Sequence, residues 1–289
     1  MDHDGLAESR PSLVRLFAVE RGFYVALARA FAGAVLFALP LLMTMEMWWL
    51  GFLIRPERLA LFLLVGIPLL WALAWLAGFR EDVGWRDALV DAGIAYLIGM
   101  LAAAAVLVLL GAIQPGTSFY ETAGKIAVQA VPAGMGATLA RSQLGLRQEQ
   151  EDVEQQRRES YAGELFLMGA GALFFAFNVA PTEEIVLIAH QQVSPWYGVA
   201  LVLVSVLVLH AFVYAIGFHG QHGPPGDRLA ELEFLRLTLP GYGVVLLVCL
   251  YILWTFGRLD GLPPQEVLHH VLVLAFPGSL GAATARLVL

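Results

Sequence analysis

The chain has 289 residues, 59% hydrophobic and 14% charged, with a formal net charge of −7. Soluble domains carry about 25% charged residues, so this composition excludes an ordinary soluble globule and predicts an all-α polytopic membrane protein. No basic run marks a nucleic-acid surface, and a single cysteine, Cys249, excludes an internal disulfide or a cysteine-based zinc site.

Residues 1–21 mix Asp2, Asp4, Glu8 and Glu20 with Arg10 and Arg15. They lack a small-residue cleavage site after a short apolar core, so the first apolar stretch is expected to remain as an anchor. A spanning helix needs roughly 20 mostly apolar residues. Eight stretches qualify, near 22–45, 58–79, 88–111, 119–140, 162–188, 196–217, 238–257 and 266–286. The first holds Pro40 and Thr44 and stops just before Glu46, with Trp48 and Trp49 suited to an interfacial belt. Asp87 and Asp91 open the third, where acids favour a helix N-terminus. The fourth and eighth carry "PAGMGATLA" and "PGSLGAATA", small-residue runs that allow close helix contact. Between the fourth and fifth lies "RSQLGLRQEQEDVEQQRRES", which reads as a solvated linker. The fifth contains "FFAFNVAPTEEIVLIAH", in which Asn178, Pro181, Thr182, Glu183 and Glu184 interrupt an apolar run.

Lys and Arg divide unevenly between the two sides. Twelve fall on the side of the termini and of the 141–161 linker, and four (Arg55, Arg58, Lys125 and Arg258) on the other. Cytoplasmic loops carry the excess, so both termini are expected in the cytoplasm.

Self-similarity divides the chain further. "GAVLFALPLLMTME" aligns with "GALFFAFNVAPTEE", pairing Gly33 with Gly171, Phe37 with Phe175, Thr44 with Thr182 and Glu46 with Glu184. Pro56 pairs with Pro195 and Leu70 with Leu209. Pro132, Gly136, Ala140 and Arg141 pair with Pro277, Gly281, Ala285 and Arg286. The third and seventh stretches align poorly. Four spans return a chain to its starting side, so the expected halves are parallel repeats. The expected organisation is a cytoplasmic segment 1–21, a first four-helix repeat 22–140, a cytoplasmic linker 141–161 and a second four-helix repeat 162–289.

A carboxylate at the bilayer centre costs about 2.5–3.5 kcal/mol, and such groups face a bundle interior or a wet cavity. Glu46 and Glu184 are therefore expected as an acidic pair at a shared interface. Thr44, Asn178, Thr182 and Glu183, with carbonyls freed by the prolines, complete an oxygen-rich path for a cation or proton. Glu183 and His190 share a helix face, but no HExxH is present, and neither metal nor cofactor is expected.

"ALPLLMTMEMWWLG", "FNVAPTEE" and "LAFPGSLGAATARLVL" together resemble a family of bacterial integral membrane proteins of unknown function. The resemblance covers nearly the whole membrane region. It implies a bacterial inner membrane and carries over no catalytic residues.

The expected function is transport of an ion, as a cation or proton, or of a small solute, by carrier or channel, with the lipid bilayer as partner. A homo-oligomer is compatible with the sequence. Two alternatives stand. One is a non-transporting scaffold or accessory subunit acting through the linker. The other is a glutamate-type intramembrane enzyme, whose EExxxR signature fails here because Ile188 stands where Arg is needed. A cavity joining Glu183 or Glu184 to His210 would favour the enzyme.

Overall fold

The computed structural model describes residues 13–76, 85–144, 160–191, 194–220 and 234–288, and among these the regular structure is all helix. In order they are α1 (Leu13–Leu42), α2 (Met45–Leu53), α3 (Pro56–Leu76), α4 (Trp85–Leu109) and α5 (Phe119–Leu144). Then come α6 (Tyr161–Val179), α7 (Glu184–Gln191), α8 (Pro195–Gly220), α9 (Leu239–Thr255), entered through a π-helical turn at Phe234–Thr238, and α10 (Pro264–Val288). The start of the expected N-terminal segment and most of the expected linker, 145–159, lie outside the described residues.

Seven of these helices, among the described residues, are long and apolar enough to cross a membrane: α1, α3, α4, α6, α8, α9 with its π turn, and α10. The fourth expected span, α5, forms where predicted but does not reach the same hydropathy. Its placement gives the reason. α5 packs against α1, α2, α3 and α4, and every residue from Val128 to Ala140 is buried. A helix walled in by other helices need not be apolar toward lipid, so α5 can hold Lys125, Gln129 and Thr138 in its interior. α10 takes the corresponding position among α6, α7, α8 and α9.

Two expected spans are not continuous. The stretch 22–45 ends at Leu42, and 162–188 ends at Val179. Each is followed by a short helix, α2 and α7, that opens close to the acids. Pro40 and Pro181 lack the N–H that would continue the ladder. The first break is fully capped. The last four carbonyls of a helix have no intrahelical partner, and here all four find one. Leu39 accepts from the Met43 N–H, Pro40 from the Thr44 hydroxyl at 2.6 Å, Leu41 from the Thr44 N–H and the Gln129 amide, and Leu42 from the Trp48 indole at 2.7 Å. In the second break the Asn178 amide donates to Phe174 O at 2.7 Å, and the Thr182 N–H and hydroxyl both donate to Val179 O.

The small-residue runs do bring backbones together. A Cβ on Gly136 would lie 2.5 Å from the Gly33 carbonyl oxygen. One on Gly281 would lie 2.2 Å from that of Gly171. The α1–α5 and α6–α10 crossings thus use residues that pair in the sequence alignment. α2 is seated on α5 in the same manner, since a Cβ on Gly124 would overlap the Gly51 carbonyl.

α4 and α9, which align poorly in sequence, end alike. Gly111 (φ +72°) and Gly257 (φ +74°) adopt the left-handed conformation that glycine alone takes without strain. Behind them the Ala112 N–H reaches back to Leu107 O and the Arg258 N–H to Leu253 O, both at 2.9 Å. Gly111 and Gly257 themselves donate to Val108 O and Trp254 O. Both ends are Schellman caps.

The first five helices meet the last five along a narrow seam of α1 with α6 and of α3 with α6 and α9. Aromatic side chains fill it. Phe37 meets Phe174 edge-on at 5.2 Å, and Phe62, Phe177 and Phe256 form a buried triangle with centroids 5.6–6.4 Å apart. Such pairs contribute about 0.5–1.5 kcal/mol each beyond their burial.

Candidate functional site: a charged cavity at the seam

A cavity of about 520 Å³ lies above the phenylalanine triangle, where the first and last five helices meet. α2 supplies an apolar wall of Met45, Trp49, Leu50 and Leu53, together with Glu46. Arg55 and Arg58 come from the start of α3, Glu183 from the second helix break, and Thr255 to Arg258 with Asp260 from the turn after α9. Phe256 joins the lining to the triangle below.

The cap on α9 decides what enters this space. Gly257 turns the chain sharply, so Arg258 and Asp260 are presented back across the seam. Arg58 is 6% exposed, and it clasps Asp260 with two parallel bonds, 3.0 Å from Nη1 to Oδ2 and 2.6 Å from Nη2 to Oδ1. Its guanidinium also lies 4.9 Å over the Trp254 ring. A buried guanidinium needs this planar two-point match. The Arg58 guanidinium beside Asp260 holds that carboxyl below the usual carboxylate range, with Arg55 adding a smaller pull.

Arg258 lies within electrostatic reach of both Glu46 and Glu183. It donates through Nη2 to the Pro181 carbonyl, so it binds the second break at the residue whose own N–H is missing. Burial pulls its pKa down, and the carboxylates of Glu183 and Glu46 oppose that pull. A guanidinium stays charged at any working pH.

The expected site residues separate into two groups. Glu46 and Glu183 line the cavity, and both act on Arg258. Glu184 does not line it. It opens α7, exposed to solvent, and its carboxyl is held below the ordinary value first by the Thr182 hydroxyl and then by its own backbone N–H. Thr182 has one hydroxyl proton for both this carboxylate and Val179 O. Thr44, Asn178 and Thr182 are absent from the cavity wall, and their side chains bond carbonyls at the helix breaks. Of the expected Glu46–Glu184 pair, Glu46 alone lines this cavity, which takes Glu183 from the second break. The turn through 180–183 makes adjacent residues diverge instead of keeping the angular spacing of a continuous helix. The cavity does not include His210, whose Nδ1 lies 3.0 Å from the Thr238 hydroxyl.

Arg58, Arg258 and Asp260 were not singled out from the sequence. A signal was present. Of the four cations allotted to the non-cytoplasmic side, Arg55, Arg58 and Arg258 line the cavity. Lys125 instead bonds Glu121 and the Ala112 carbonyl.

Long apolar helices packed around buried polar groups define a multi-pass integral membrane protein. The chain belongs to the family DUF2391, described as "Putative integral membrane protein", whose profile matches residues 26–289. No curated protein and no solved structure matches it.

Proposed function

We propose that the protein is a carrier for a small solute or ion, with the seam cavity as its outer binding chamber and Glu46 and Glu183 as cation- or proton-accepting groups. One observation carries this reading: carboxylates from the first and last five helices share a single cavity with Arg258, which both of them influence. Protonating one acid, or pairing it with a cation, weakens its hold on Arg258, which links occupancy to the contact between the two sets of helices. Passage below the cavity requires Phe62, Phe177 and Phe256 to separate, which favours a carrier over an open channel.

The reading includes eight spans arranged as two parallel four-helix repeats, with both termini cytoplasmic in a bacterial inner membrane. α5 supports the eighth span, since its 26 residues extend about 39 Å, enough to cross a core of about 30 Å. The repeat is supported by the paired glycine crossings, the equivalent neighbours of α5 and α10, and the matching caps on α4 and α9. The Lys/Arg asymmetry supports the orientation.

Reconstitution into liposomes tests the function. Flux of H⁺, Na⁺, K⁺ or a divalent cation, or uptake of a small solute, is expected to fall at least about tenfold in Glu46→Gln and Glu183→Gln. Absence of any flux, or flux indifferent to both substitutions, rejects it.

A further inference from the structure

The cavity carries a more specific inference, which rests on the carrier reading but concerns the ligand. Its charged lining is Glu46, Glu183 and Asp260 against Arg55, Arg58 and Arg258, so the formal charges cancel. An ion of either sign meets as many like charges as opposite ones. The charges are not all paired with each other. Arg58 and Asp260 are joined, and Arg258 bonds the Pro181 carbonyl. Among the described residues, the side chains of Glu46, Glu183 and Arg55 make no hydrogen bond or ion pair. Glu46 and Glu183 act on Arg258, and Arg55 on Asp260, only through space.

Two carboxylates and one guanidinium are therefore left able to take a ligand that carries both charges. An ammonium group satisfies the carboxylates, and a carboxylate satisfies Arg55 in the two-point manner guanidinium favours. The rest of the α2 wall, Met45, Trp49 and Leu53, is apolar and suits a hydrocarbon side chain. About 520 Å³ is within the size range of small-molecule sites.

We propose that the seam cavity binds a small zwitterion with an ammonium, a carboxylate and an apolar side chain, of the α-amino-acid type. A single-charge analogue leaves one set of lining groups unsatisfied, and complementary charge is what gives such a site its discrimination.

The test is equilibrium binding to the full-length protein in detergent micelles or nanodiscs, which needs no flux. The probes are L-leucine, L-methionine and L-phenylalanine, beside leucinamide, which keeps only the ammonium, and 4-methylpentanoate, which keeps only the carboxylate. At least one amino acid is expected to bind at least about tenfold more tightly than both leucine analogues. Arg55→Gln, at an exposed position, is expected to erase that advantage over leucinamide without weakening leucinamide binding, since it removes a like charge from the cavity. Glu46→Gln with Glu183→Gln is expected to erase the advantage over 4-methylpentanoate.

The proposal is overturned if no amino acid binds, or if the single-charge analogues bind equally well. Amino-acid binding without flux keeps this inference and removes the carrier reading. Acid-dependent cation or proton flux without amino-acid binding does the reverse.

Discussion

The turns after α4 and α9 have one backbone and two purposes. Both begin at a left-handed glycine, and both close with a bond to a carbonyl five residues back. After the first, residue 112 is alanine, and its carbonyl takes the ammonium of Lys125 from within the same group of helices. After the second, the residue in the same cap position is Arg258, which bonds the Pro181 carbonyl and lies under the influence of Glu46 across the seam. The comparison teaches that the cap is framework and that the side chain mounted on it decides what the turn contacts. One turn closes its own bundle, and the other builds the cavity.

The largest test of that shared framework is at the glycine crossings. Gly136→Ala and Gly281→Ala each push a methyl against a backbone carbonyl, which side-chain rearrangement cannot relieve. Each is expected to cost about 3 kcal/mol or more, at the upper end of overpacking penalties. Gly93→Ala and Gly243→Ala, where a Cβ meets nothing within 4 Å, are expected to be neutral or stabilising by up to about 1 kcal/mol. Reversible unfolding in mixed micelles reads all four. Unequal losses at Gly136 and Gly281 would break the equivalence of the two crossings.

Asp260→Asn tests what only the second turn does. It leaves Arg58 buried with its charge unmatched and is expected to cost about 1–3 kcal/mol, moderated because Asp260 itself is half exposed. The pH dependence has a definite sign. The folded carboxyl titrates below its unfolded value of about 3.9. Its contribution is thus complete above that pH and is lost as pH falls through the lower, folded value. Stability measured from neutral pH down to about pH 3 should lose this acid limb in the variant.

A smaller effect sharpens the comparison at the caps themselves. Gly111→Ala and Gly257→Ala force an L side chain into positive φ and should each cost about 1–2 kcal/mol. Gly257→Ala alone should also change ligand binding or flux, since its strain falls on the turn that carries Arg258 and Asp260 into the cavity. The smallest change is expected for Glu184→Gln. That carboxylate is exposed and outside the cavity, so flux should stay within about twofold of the unmodified protein and stability within about 0.5 kcal/mol. A loss of flux as large as in Glu183→Gln would restore Glu184 to the pathway.

Much of the membrane architecture was legible in residues taken one stretch at a time. Apolar runs located most of the long helices to within a few residues, because a helix that faces lipid must be apolar by itself, but missed the start of α1 and the end of α6 by nine. The paired glycines announced two close crossings, since only small residues permit them. The helix breaks were only half legible. Pro40 and Pro181 signalled disturbance, but a proline in a span can kink a helix without ending it. Here the exposed carbonyls found outside partners, including Gln129, 88 positions away from Leu41 in the chain.

By itself, then, the sequence determined the class of protein, the placement of its long helices and the presence of acids near the ends of two of them. Those features follow from local composition and helix geometry. The tertiary structure decided which acid shares the cavity with Glu46, placing Glu183 and not Glu184 on its wall, and it brought Arg58 to Asp260 across 202 residues. No local rule encodes those choices. They depend on a glycine cap that reverses the chain after α9 and on a seam that places the reversed segment against the start of α3.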